Sequence, residues 1–420
     1  MARLLYSLCV AALLPVAAIY LRWRARKQPE YLQHWRERFG LFSHLPHQTK
    51  APLIWLHAVS VGETRAAQPL ISALRERFPK HQILITHMTP TGRATSLELF
   101  GASVERCYLP YDTPWAMEQF LRHFSPQFGI VMETELWPNM VISCAQQKIP
   151  LMLVNARLSA KSQAGYAKLP TLARAALQGL RAIAAQSADD ANRLISLGAN
   201  EVEVVGNIKF DIEPPQNQIA LGKQLREQIG ARQVLLAAST REGEELLLLD
   251  AWKGNLSVKR LLLIVVPRHP QRFNEVAEMI LAKGLRMQRR SENPIIDAQT
   301  EVLLGDSMGE MFAWHTVADV AFIGGSLLNF GSQNLIEACA VGTPVLLGPS
   351  TYNFSEAASA AQACGAAMAV SDADDLVKKA FELLADADAR AQMSAAGLAF
   401  AQHHRGATTR TMEIIVRSVA

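Results

Sequence analysis

"LIWLHAVSVGETRAAQPLISALRERF", residues 53–78, begins as an apolar run (53–59), turns at a serine and a glycine, and continues with leucine and isoleucine at helical spacing. A strand buried on both faces reads as an unbroken apolar run and an amphipathic helix as a 3.6-residue repeat, so the stretch predicts a strand leading into a helix. The same order recurs through "ILITHM" (83–88), "FGIVME" (128–133), "PLMLVNA" (150–156) and "AIAAQS" (182–187). It starts again after "VEVVGNIKFDIEPP" (202–215) with "VLLAAS" (234–239), "LLLIVVP" (261–267), "VLLGD" (302–306), "DVAFIGG" (319–325) and "PVLLG" (344–348). Strands alternating with helices imply parallel βαβ units. At 420 residues the chain exceeds one ordinary core, so two doubly wound α/β domains are expected, with Pro214 and Pro215 marking the linker. Ligands of such sheets gather at the carboxyl ends of the strands.

Glu63 stands at one such end. An acid in a first helical turn is favoured by the helix dipole, worth about 0.3–1 kcal/mol. A carboxylate there would equally project toward a bound ligand, and position alone leaves both readings open.

Composition narrows the class. Half the residues are hydrophobic and 19% are charged, which suits a packed globular protein. The net charge of +4 is concentrated: residues 1–50 hold eight Lys or Arg against two acids, and the remaining residues 34 against 36. A nucleic-acid binder spreads basic residues over its folded surface, so this distribution points to a membrane surface instead. The five cysteines have no zinc or redox spacing, and a reduced compartment is the simplest reading. "LLYSLCVAALLPVAAIYL" (4–21) carries no charge and as a helix would reach about 27 Å, barely enough to cross a bilayer. Arg22, Arg24, Arg26 and Lys27 follow at once with no cleavage site, as in an anchor whose basic flank stays cytoplasmic. "YLQHWRERFG" (31–40) reads either as an interfacial helix or as one packed on the first domain.

Taken in order, "HAVSVGE" (57–63), "METELWPN" (132–139), "NARLSAKSQAGY" (155–166), "VVGNIKFD" (204–211), "VPRHPQRF" (266–273), "GDSMGEM" (305–311), "FIGGS" (322–326) and "GTPVLLGPSTYNF" (342–354) cover nearly the whole chain. Behind this anchor, the set resembles the Kdo transferases, which add 3-deoxy-D-manno-octulosonic acid (Kdo) to the lipid A precursor. The resemblance implies a GT-B fold, two Rossmann-like domains facing a cleft, with CMP-Kdo as donor, lipid A precursor as acceptor, inner-membrane lipids around the anchor, and no cofactor, metal or nucleic acid. The chain then divides into an anchor (1–27), a juxtamembrane segment (28–50), an acceptor domain (51–208), a linker (209–216), a CMP-Kdo-binding domain (217–395) and a C-terminal helix (396–420) returning to the first domain. Arg241, Gln333 and Ser350 stand where the family often has histidine.

By the same resemblance Glu63 is the general base, Glu133 a transition-state stabiliser and Lys209 the cation opposite the leaving phosphate. Glu133 ends an apolar strand, where an acid needs a partner; the other reading is an ion pair to an arginine such as Arg157. Arg268 and His269 follow a strand, and Arg suits bidentate contact with phosphate or carboxylate. The amides of Met308, Gly309 and Glu310 are expected to open a helix at the CMP phosphate, with Asp306 as an N-cap. In "NLIE" (334–337), Asn334 and Glu337 have capping-box spacing, and the resemblance makes Asn334, Leu335, Ile336 and Glu337 a CMP contact. His57 and His87 receive no role. A Rossmann oxidoreductase is disfavoured because no G-x-G-x-x-G follows the first strand. Another GT-B transferase or epimerase using a UDP-sugar, and a non-catalytic tethered binding protein, are the alternatives.

Overall fold

The computed structural model describes residues 2–42, 51–211, 213–253, 261–292 and 295–420; residues 43–50 of the juxtamembrane segment and Ile212 of the linker lie outside them. The chain forms two compact units, unit 1 comprising Met1–Asp211 with Arg405–Ala420, and unit 2 comprising Ile212–His404.

Unit 1 is built on β1 (Leu53–His57), β2 (Gln82–His87), β3 (Glu105–Tyr108), β4 (Phe128–Met132), β5 (Leu151–Ala156), β6 (Ala182–Ala185) and β7 (Glu203–Val204). These make one parallel sheet in the order β3-β2-β1-β4-β5-β6-β7. The apolar run of β1 is explained by burial on both faces: Trp55 packs in one layer with Phe120 and Met140, and Ile54 and Leu56 pack in the other with Leu70 and Ile71. The helical pattern after Glu63 is two helices, Val61–Ala66 and Gln68–Arg77, not one. Pro69 lacks an amide hydrogen and its ring fouls the preceding turn, so it is tolerated only where the second helix starts.

Unit 2 carries β8 (Gln233–Thr240), β9 (Leu261–Pro267), β10 (Met287–Arg289), β11 (Val302–Leu304), β12 (Val320–Ile323), β13 (Val345–Leu347) and β14 (Ala367–Ala369), parallel and ordered β10-β11-β9-β8-β12-β13-β14. In both sheets the chain builds one side from a central strand and then restarts on that strand's other side; in unit 2, β10 takes the edge and β11 returns to lie between it and β9. The two strands at this switch point, β1 beside β4 and β8 beside β12, therefore place their carboxyl ends together, which is where doubly wound sheets bind ligands.

The termini complete unit 1. A helix at Ala2–Ala25 runs through Pro15, and the juxtamembrane segment follows as two 3-10 turns, Pro29–Leu32 and Trp35–Phe39. Glu37 and Arg38 are buried: Glu37 accepts from Arg93 at 3.0 Å and from the Tyr108 amide at 2.7 Å, and Arg38 lies 3.7 Å above the Tyr108 ring. That side of the segment packs on the folded unit. Residues 396–403 finish the helix Ala387–His403 within unit 2, and the chain recrosses after His404. The helix Ala407–Val419 then adds Ala407, Met412, Ile414 and Ile415 to the layer that holds Ile54 and Leu56. The Asp211 carboxylate accepts from the amides of Gly406 (2.6 Å) and Thr408.

Candidate functional site

The switch point of unit 1 brings two carboxyls together. Ser60, extended at φ −116°, caps the helix Val61–Ala66 by accepting from the Glu63 amide at 3.4 Å. Glu63 folds back on that cap: one carboxylate oxygen accepts from Ser60 Oγ–H at 2.9 Å and the other from the Val59 amide at 2.8 Å. This reciprocal bonding is a variant of the capping box in which the carboxylate reaches the cap hydroxyl and the amide before the cap. Glu63 is only 9% exposed, and burial, followed by the negative charge of Glu133, pushes its pKa up to about 7. The helix dipole and the two hydrogen bonds oppose that rise and lose to it, so the carboxyl is poised between its two charge states near neutrality.

Glu133 follows β4 with φ +59°, a left-handed conformation that a glutamate adopts only when its surroundings impose it. Its side chain meets Lys209, whose ammonium donates to Glu133 Oε1 at 2.9 Å, both groups being about four-fifths buried. Lys209 is placed by a chain of amides. Asn155 Oδ1 accepts from the Ile208 amide at 3.1 Å, Gln186 donates to the Asn155 carbonyl at 2.9 Å and accepts from Asn207 at 3.0 Å, and Asn207 Oδ1 accepts from the Lys209 amide at 3.0 Å. Asn155 also has a positive φ, at an irregularity in the β5–β6 register. Glu135, two residues on, instead accepts from the Trp137 indole at 2.7 Å. His57 and His87 are fully buried, with pKa values pushed down to about 3 and about 4 by burial. His87 Nδ1 is 2.8 Å from the Ala58 carbonyl, bracing the segment that leads to Ser60, and His57 Nδ1 is 2.8 Å from Thr86 Oγ1, joining β1 to β2.

In unit 2 the predicted residues also follow strand ends, Arg268 and His269 after β9, Met308 to Glu310 after β11, and Asn334 to Glu337 after β12. His269 is exposed, and its pKa is lowered by desolvation and then by Arg241, Arg268 and Arg272. Arg241 therefore belongs to a cluster of cations, with its guanidinium 4.5 Å from the Phe330 ring centroid. In the sequence Arg241 stands out only as a departure from the family's histidine, and its position directly after β8 is the signal for it. The helix predicted to open at 308–310 begins at Met311, with Glu310 as its flanking residue and Gly309 at φ +78°. Asp306 is not a cap: it accepts from Arg289 (2.7 Å), the Ser291 amide (2.8 Å) and the Ser291 hydroxyl (2.5 Å), holding β10 to the loop after β11. Asn334 accepts from the Ile336 amide at 3.1 Å and donates to Glu337 Oε1 at 3.1 Å, so Glu337 reaches back as in the expected capping box, but to the Asn334 side chain and not to its backbone amide. The Leu335 and Ile336 side chains are buried, so a ligand could meet only their backbone.

The loops are held from within. Glu244, fully buried, accepts from the amides of Arg241 (2.8 Å), Gly325 (2.6 Å), Leu327 (2.9 Å) and Leu328 (3.4 Å). Gly324 has no room for a side chain, since a Cβ would sit 2.6 Å from the Ser239 carbonyl oxygen. Ser350 Oγ accepts from the Gly331 amide at 3.0 Å.

Two family models match the chain. That described as 3-deoxy-D-manno-octulosonic-acid transferase (kdotransferase) matches residues 33–212, and that described as glycosyl transferases group 1 matches residues 281–399. The chain is 43% identical to 3-deoxy-D-manno-octulosonic acid transferase of Bordetella pertussis over 99% of each chain. It is 34% identical to the protein of the same name from Haemophilus influenzae over 98% of each. Among solved structures, UDP-GlcNAc 2-epimerase of Neisseria meningitidis matches 87% of this chain and 100% of its own, with a TM-score of 0.59 and 16% identity, a likeness of fold alone.

Proposed function

The chain belongs to the 3-deoxy-D-manno-octulosonic acid transferases, and from that membership we propose that it moves Kdo from CMP-Kdo to a lipid A precursor, lipid IVA, inverting the anomeric centre without a metal. The observation that carries the mechanism is the Glu63 carboxyl, buried at a sheet switch point with its pKa raised to about 7. A general base works best with a pKa near the operating pH. In the proposed reaction the acceptor hydroxyl loses its proton to Glu63 as its oxygen bonds to the anomeric carbon. The bond from that carbon to the CMP phosphate breaks, and CMP leaves with the electron pair.

Glu133 raises the basicity of Glu63 through its charge and stabilises the electron-poor sugar. Lys209, held against Glu133 at 2.9 Å, is the cation offered to the departing phosphate. On the donor side, Arg268, His269 and Arg241 favour an anion, and the Glu337 carboxylate would accept from the ribose hydroxyls. CMP leaves as a monophosphate ester, whose charge amides and cationic side chains can carry, unlike a diphosphate that usually recruits a divalent ion. The helix Ala2–Ala25 is long and apolar enough to cross a membrane, and its basic flank favours the cytoplasmic face of the inner membrane.

Mass analysis of products from CMP-Kdo and lipid IVA, made in the presence of a chelator, tests donor, acceptor and metal independence together. The expected product is lipid IVA carrying Kdo at an undiminished rate. No product, or product only with added divalent ion, would count against the reading. Titration with CMP and with UDP separates this donor from a UDP-sugar.

Glu133→Gln gives a second check. It removes a negative charge beside Glu63, which lowers the Glu63 pKa. The acidic limb of kcat/KM is expected to move below pH 7 by about one unit, on the scale of a neighbouring-charge effect. An unmoved limb would show that some other group sets it.

A further inference from the structure

We infer that the helix Ala2–Ala25 lies in the plane of one anionic membrane leaflet, with both its ends on the same side as unit 1, instead of crossing the bilayer. The inference rests on the membrane reading above and concerns the manner of attachment.

The helix is laid along unit 1 for its whole length. Arg3, Tyr6, Ser7, Val10, Leu14, Ala17, Leu21 and Arg24 are buried or half-buried, and their steps of three and four trace one stripe. Its first turns are tied by polar bonds. Arg3 Nε and Ser7 Oγ donate to Asn139 Oδ1 at 3.0 and 3.1 Å, and the Tyr6 hydroxyl donates to Asp112 Oδ2 at 2.9 Å. That receiving pair is itself rigid, because Asp112 also accepts from the amides of Asn139 (2.9 Å) and Met140 (2.7 Å). At the other end Leu21 is buried and Arg24 donates to the Tyr31 hydroxyl at 2.9 Å. A crossing helix would carry Arg3, Tyr6 and Ser7 through hydrocarbon to the far side, away from Asp112 and Asn139.

The opposite face has no partner in unit 1. Leu4, Leu5, Leu8, Leu13, Val16 and Ile19 are 59–66% exposed. Trp23, suited to the headgroup level, ends this face beside Arg22, Arg26 and Lys27. An apolar face bordered by positive charge complements an anionic leaflet, not a further protein surface.

The test uses the full chain with exposed Cys9 and Cys364 changed to alanine, carrying either Ala2→Cys, at the exposed first residue of the helix, or Gln33→Cys, exposed beyond its last. Sealed inside-out and right-side-out vesicles are treated with a membrane-impermeant maleimide after the membrane fraction has been measured. Both positions are expected to label in the same vesicle orientation and to lose labelling in the other. Labelling in opposite orientations would overturn the in-plane placement and leave membrane attachment standing. Recovery outside the membranes, including as a discrete dimer that gives this face to a second copy, would overturn both.

Discussion

Glu63→Gln is expected to lower kcat by about 10²–10⁴ while making unit 1 more stable above pH 8, the first being the usual contribution of a general base. The second follows from the same burial. The Glu63 pKa is raised from 4.5 to about 7 in the folded chain, so the native state keeps a proton that the unfolded chain releases. Its contribution to stability is therefore greatest below pH 4.5 and falls as pH rises toward 7, beyond which the ionised form costs up to about 3 kcal/mol. Glutamine carries no charge at any pH and escapes that cost, and its amide can still accept from Val59 and donate to Ser60. Denaturant unfolding at pH 5 and 8.5, beside turnover with CMP-Kdo, measures both arms. Retained turnover would place the base elsewhere, and lost stability at pH 8.5 would mean that the carboxylate is welcome where it lies.

Glu244→Ala is the second large effect, in unit 2. Four backbone amides share this buried carboxylate, and alanine leaves them without an acceptor. Two of these bonds are fully buried, and at about 1–3 kcal/mol for each buried donor left unmade the loss is about 2–6 kcal/mol, which removes the ordered loop after β12. Hydrogen exchange is expected to show lost protection from β8 through β13 with β1 and β4 still protected, together with lost CMP binding. Glu244→Gln, which keeps an acceptor, is expected to fall between. An alanine variant with native exchange and CMP affinity would show that the loop holds its own shape.

The interior strands of both sheets are legible in the sequence because burial on two faces demands unbroken apolar runs. The strands that leave no such run are β3, β7, β10 and β14, all at sheet edges, where "ERCY", "EV", "MQR" and "AMA" meet solvent on one side and need only backbone pairing. The candidate site divides the same way. That Glu63 and Glu133 stand beyond strand ends can be read locally, but their mutual effect depends on β4 returning beside β1, which is decided by topology. The pairing of Glu133 with Lys209 spans 76 positions and no local pattern announces it. The ionisation of Glu63 is hidden for a related reason: the helix dipole is visible in sequence, whereas burial, the larger influence, is not.

The helix Ala407–Val419 closes an apolar layer whose other members lie far earlier in the chain, with all of unit 2 encoded between them. During synthesis, Ile54, Leu56 and their neighbours are made first, and once Asp211 is in place they still wait for Met412, Ile414 and Ile415 while the 193 residues of unit 2 (Ile212–His404) are added, on the order of ten to forty seconds at ordinary translation rates. Through that interval the nascent unit 1 has an open hydrophobic face. Unit 1 is thus the first to emerge from the ribosome and the last to finish folding, which makes it a natural client for chaperones.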